Sequence, residues 1–119
     1  MKPQELAEAY LKNYRTRLDE DFWAFEEVNE ACNNFESGLE ITLALISSAN
    51  NEQELSYVAA GPVEDMLTMH GNKAMEAFEK AILNSDKILE ALAGVWLSES
   101  NEVYSTWKQL MNKHNLLNV

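Results

Sequence analysis

Apolar residues recur at intervals of three and four along the whole chain, from Leu6, Tyr10, Leu11 and Tyr14 to Val103, Trp107, Leu110 and Met111. That period belongs to helices with one buried face. Only four Gly and two Pro punctuate it. The pattern predicts an all-α fold. Residues 1–119 should form one compact domain of about six or seven short helices, antiparallel because connections of about two to four residues turn each helix back along the last. With 46% apolar residues in a chain of 119, the core can form without a metal or disulfide.

Pro3 suits the first turn of a mildly basic N-terminal helix ending near Arg17. A second helix from about Asp19 carries acids in its first turn and places Phe22, Phe25, Val28 and Cys32 near one face, with Trp23 beside that stripe. A third covers roughly Phe35 to Ser48 with Leu39, Leu43 and Ile46 inward, although the alternation Leu39, Ile41, Leu43, Leu45 also fits a short buried strand. Asn51 followed by Glu54 reads as a capping box opening a fourth helix.

Gly61-Pro62 must interrupt that helix, as a kink or as a break and restart, since Pro62 lacks an amide hydrogen and crowds the carbonyl one turn back. After a restart, Glu64 would cap the freed amides, and otherwise Glu64 and Asp65 would be exposed. Met66, Leu67 and Met69 continue inward, and Gly71 after His70 reads as a C-terminal cap. The next helices bury Ala74, Met75, Phe78, Ala81 and Ile82, then Ile88, Leu92, Val95 and Trp96, with Asn84 or Ser85 as a cap between them. Trp96 and Trp107 are expected as packing anchors, and residues 114–119 as a frayed tail.

Charge is where the chain departs from an ordinary helical domain. The formal net charge is −11, and twelve acids with no Lys or Arg lie between Leu18 and Gly71. A field of one sign opposes binding to a phosphate backbone, so no nucleic acid is expected as a direct partner. No apolar run approaches a membrane span, and nothing reads as a signal peptide. The single cysteine, Cys32, excludes an internal disulfide and a zinc ribbon and suits the reducing cytoplasm.

No catalytic constellation stands out. Neither His70 nor His114 follows an acid at the spacing of a di-iron helix, and no phosphate-cradling Gly loop or nucleophile elbow occurs. Cys32 sits among apolar residues, without a basic neighbour to activate it. Glu26 and Glu30 share a helix face, which fits a solvated acidic surface better than a metal site. The chain is thus read as a non-enzyme without cofactor or metal.

The one-sided charge either keeps the chain soluble or steers a basic partner. Under the second reading the contacts are Asp19, Asp21, Glu26, Glu27 and Glu30, with Trp23 as an aromatic anchor unless it is half-buried in the core.

The run Ala59-Ala60-Gly61-Pro62-Val63-Glu64-Asp65-Met66-Leu67, followed by Ala91-Leu92-Ala93-Gly94-Val95-Trp96, resembles a family of small uncharacterised bacterial proteins. Val63 and Met66 stand where Leu is expected. The resemblance spans about residues 22–110 and implies a bacterial or phage origin. In size and charge the chain is similar to immunity proteins that neutralise toxins. The expected function is a protein-binding module, most concretely an immunity protein or inhibitor that occludes a basic effector such as a nuclease toxin. The alternative is a homo-oligomeric helical scaffold, which would be a dimer in solution.

Overall fold

The computed structural model describes residues 2–114 and 116. Among these, seven α-helices appear and no strand: α1 (Pro3–Thr16), α2 (Phe22–Ala31), α3 (Phe35–Ser48), α4 (Glu52–Val58), α5 (Glu64–Ala81), α6 (Asp86–Ala93) and α7 (Tyr104–Lys113). A 3-10 turn (Asp19–Asp21) precedes α2, and a π turn (Ala59–Val63) joins α4 to α5. The expected tail lies mostly outside the described residues.

Segment 39–46 is helical. Asn34 opens α3 by accepting from the amides of Glu36 and Ser37, and the turn it starts runs unbroken to Ser48. The buried stripe of α3 is Ile41, Thr42, Leu45 and Ile46, whereas Leu39 and Leu43 are only half-buried. Helix α3 packs against α1, α2, α4, α5 and α6, so its inner arc must be wide.

The interruption at Gly61-Pro62 takes the form of a π turn. Backbone angles stay right-handed helical at Val58, Ala59, Val63 and Glu64, and Pro62 is buried in the turn without ending the helix. One extra residue per turn accommodates the ring that an α-turn would exclude. The expected capping of a restarted helix by Glu64 therefore does not arise, since α5 begins without a side-chain cap.

The sharper break is at Gly71. Its φ of +55° and ψ of −131° are non-helical, so α5 is two helical pieces that meet in a kink at the glycine expected to stop the first of them. Glu102 fills the space a Cβ would need there and accepts from the Asn72 amide at 3.2 Å. The neighbouring His70 donates from Nε2 to the Cys32 carbonyl oxygen at 2.7 Å.

Two long-range polar contacts fix the frame. Arg15 Nε and Nη2 donate to the two oxygens of Glu54 at 2.7 and 2.8 Å, clasping α1 to the start of α4. Lys87 Nζ donates to the carbonyls of Ser47 and Ala49, closing the C-terminal end of α3. The core joins residues of all seven helices, among them Leu11, Val28, Leu45, Val58, Met66, Phe78, Leu92 and Met111.

Three expected core residues are elsewhere. Trp96 is 85% exposed, because α6 ends at Ala93 and the chain beyond Gly94 is a loop on which the helical period no longer applies. Met69 falls off the stripe made by Met66, Leu67, Ala74 and Met75 and is exposed. Phe22 is exposed too, stacked on Phe25 at the entry to α2. Trp107 is buried as expected, donating Nε1–H to the Leu92 carbonyl at 2.7 Å.

Candidate functional site

The acidic segment is presented by a tight corner between α1 and α2. Arg17 ends α1 in a left-handed conformation (φ 60°), which costs a non-glycine residue about 1–2 kcal/mol. Its amide bonds the Asn13 carbonyl, and Asn13 Nδ2 donates to the Leu18 carbonyl. The Arg17 guanidinium lies over the Tyr14 ring, 4.7 Å from its centroid. This corner sends the chain into the 3-10 turn and orients α2.

On α2 the residues separate cleanly. Ala24 and Val28 are buried, and Phe25 and Ala31 are half-buried against the core. Trp23, Glu26, Glu27 and Glu30 follow at the spacing i, i+3, i+4, i+7 and are all exposed. At about 100° per residue they occupy one continuous outward arc, with Phe22 at its edge. Trp23 keeps 40% of its surface free, and Phe22 and Leu18 are exposed beside it. Five of the six candidate residues therefore share one surface: Asp19 lies exposed in the turn that leads onto the arc.

Asp21 stands apart. It turns back onto α1, its Oδ2 3.5 Å from Lys12 Nζ, an ion pair without hydrogen-bond geometry. Its charge is partly answered within the chain.

The other carboxylates of the arc are not. Among the described residues no Lys or Arg pairs with Glu26, Glu27 or Glu30. Like charges at i and i+4, such as Glu26 and Glu30, disfavour a helix by about 0.2–0.5 kcal/mol, and Glu30 also sits in the last turn, at the negative end of the dipole. Their arrangement does nothing for α2 itself.

Behind the arc lies a cleft of about 480 Å3 that periodicity alone does not reveal. Its walls include Tyr10 of α1, Phe25 and Asn29 of α2, Tyr57 of α4 and Gly61 of the π turn, and Asp65 of α5 closes it. Burial, and then the neighbouring Tyr57, Cys32 and Asp65, push the Tyr10 phenol far above its ordinary pKa. Burial also raises the Asp65 carboxyl, and pushes the Cys32 thiol up to about 11, so this thiol stays protonated near neutral pH.

Among the described residues no three His, Cys, Asp or Glu side chains converge as a metal-binding set, and no helix is long and apolar enough to cross a membrane. No curated protein and no solved structure matches the chain. A model of the family of unknown function DUF6869 matches residues 12–115, and the chain belongs to that family.

Proposed function

We propose that this chain is a protein-binding module whose docking surface is the outward arc of α2. The observation that carries the reading is the combination on one helix face of exposed Trp23 with Glu26, Glu27 and Glu30, unpaired among the described residues. An exposed aromatic anchor supplies desolvated contact area, and a one-signed field steers a basic partner into register. Asp19 extends the field at the N-terminal end, and Asp21 contributes less because Lys12 already answers it.

The most concrete partner is a basic effector such as a nuclease toxin. The Lys and Arg side chains that such an enzyme uses on phosphates would pair with these carboxylates, and the chain would act as an immunity protein occluding the active site. A bacterial, cytoplasmic setting belongs to the same proposal.

The test is capture by tagged protein from its native lysate at low and high salt, beside the triple variant Glu26→Lys/Glu27→Lys/Glu30→Lys. A basic protein held at low salt, released by high salt and absent from the triple variant is the expected result. An empty capture at low salt, or equal capture by the triple variant, removes α2 as the docking surface.

One observation favours a second reading, a homo-oligomeric scaffold. Trp96, 85% exposed, stands beside a cleft lined by Leu97, Tyr104 and Trp107 on the far end of the chain. That reading requires a dimer in solution that Trp96→Ala dissociates.

A further inference from the structure

Of the clefts and polar clusters outside the α2 arc, the one behind it has the composition of a ligand site. Its volume of about 480 Å3 lies within the about 300–1,000 Å3 typical of small-ligand pockets. Aromatic rings supply the walls: Tyr10 and Phe25 lie parallel with centroids 6.2 Å apart, and Tyr57 approaches Tyr10 at 5.3 Å. One wall is the π turn, an element that recurs at functional sites because it opens a helix locally. Gly61 leaves that wall without a side chain, and a Cβ there would stand 3.2 Å from the Tyr10 hydroxyl.

Among the lining residues of this cleft the one carboxylate is Asp65. It is half-buried, and among the described residues it has neither an ion-pair partner nor a side-chain hydrogen bond. The basic side chains of the α1 corner are engaged elsewhere: Lys12 with Asp21, Arg15 with Glu54, and Arg17 over Tyr14. A carboxylate partly withdrawn from water calls for a cation, and its aromatic surroundings suit one with an apolar stem.

We infer that the cleft closed by Asp65 is a receptor for one basic side chain of the docking partner, the alkylammonium of a lysine, with Asp65 as counter-ion and Phe25 and Tyr57 against the stem. The inference rests on the docking reading of α2, since Phe25 and Asn29 place the cleft on the flank of that helix. It deepens that reading by separating two roles: the arc steers, and the cleft selects. Burial holds the Asp65 carboxyl above its ordinary range, and an ammonium ion seated beside it would reverse that shift.

The test uses n-butylammonium as the lysine mimic and n-butanol as its uncharged counterpart, followed by amide NMR in high salt, where the surface field is screened. Saturable shifts with butylammonium, centred on Ala60, Gly61 and Asp65, are expected, with none from butanol. Asp65→Asn should weaken binding at least about tenfold, as loss of the counter-ion implies, with a Tm no lower than that of the original chain. Ala60→Phe, on the exposed lip, should block the cleft while leaving Asp65 in place.

The triple Lys variant of α2 should keep butylammonium binding within roughly threefold while losing its partner, so the two readings fail separately. Absence of saturable shifts at these amides, equal response to butanol, or undiminished binding by Asp65→Asn would overturn the assignment.

Discussion

Glu54 and the trio Glu26, Glu27 and Glu30 belong to the same stretch without Lys or Arg, yet their surroundings are opposite. Glu54 is 4% exposed, gripped by both arms of Arg15, and its Oε1 also accepts from the Asn50 amide at 2.9 Å. The trio points into solvent with no partner among the described residues. One carboxylate is consumed in joining α1 to α4, and the others take no part in holding the described residues together. Charge in a sequence thus becomes informative about function only after the internally paired part is subtracted.

The comparison is broken most severely at Glu54. Glu54→Gln leaves Arg15 facing a neutral amide in a seam that is buried only on its Glu54 side. A fully buried pair costs about 3–5 kcal/mol to break, and an exposed one up to about 1. Arg15 keeps a third of its side-chain surface, so a loss of about 2–3 kcal/mol in a denaturant titration is expected, with no change in the association rate of a partner. The same clasp sets an acid dependence. Arg15 holds the Glu54 carboxyl below its ordinary value of 4.5, so the clasp contributes fully above that pH. The contribution falls away as pH drops through the lower folded value. Thermal melts across this range should show Glu54→Gln losing less than the original chain on acidification.

The converse experiment is the triple reversal at Glu26, Glu27 and Glu30. Helicity and stability should hold or rise slightly, because like-charge repulsion along α2 is relieved. Association with the basic partner should slow by about ten- to a hundredfold at low salt, measured by stopped flow. Trp23→Ala sharpens the contrast by separating anchor from field: dissociation should quicken about tenfold with the association rate nearly unchanged.

Smaller effects are expected at Asp65 and Trp96. Burial raises the Asp65 pKa, so its ionised form weakens the fold increasingly as pH rises from its ordinary value of 3.8 through the folded value. Asp65→Asn should accordingly be the more stable protein at neutral pH, with the difference vanishing on acidification below about 4 in thermal melts. Trp96→Ala, on an exposed loop, should alter monomer stability by less than about 0.5 kcal/mol. A larger loss on dilution would mark that tryptophan as an interface residue and favour the scaffold.

The sequence made the α2 arc legible because its logic is local: Trp23, Glu26, Glu27 and Glu30 are brought together by helical spacing alone. The Asn51 cap was legible for the same reason, and its side chain does accept from the Glu54 amide. The Glu54 side chain was not, since its partner lies 39 residues away on α1. The apolar period alone carries α6 through to Trp96, but Gly94 is its C-cap, in a right-handed conformation rather than the left-handed one a capping glycine usually takes. The interruption at Gly61-Pro62 is milder than its letters suggest, whereas the one at Gly71 keeps a non-helical backbone. A π turn could absorb the proline, while the demand at Gly71 comes from Glu102, in a loop 31 residues later. The cleft at Asp65 draws on five separate elements and has no local signature.

The most direct test of the account is the association rate of the captured partner as a function of ionic strength, for the original chain and for the triple variant of α2. The account predicts a steep fall with salt for the original chain and a slow, nearly salt-independent rate for the variant. Equal rates and equal salt dependence in the two proteins would contradict it, and would leave the carboxylates of α2 as a solubilising surface.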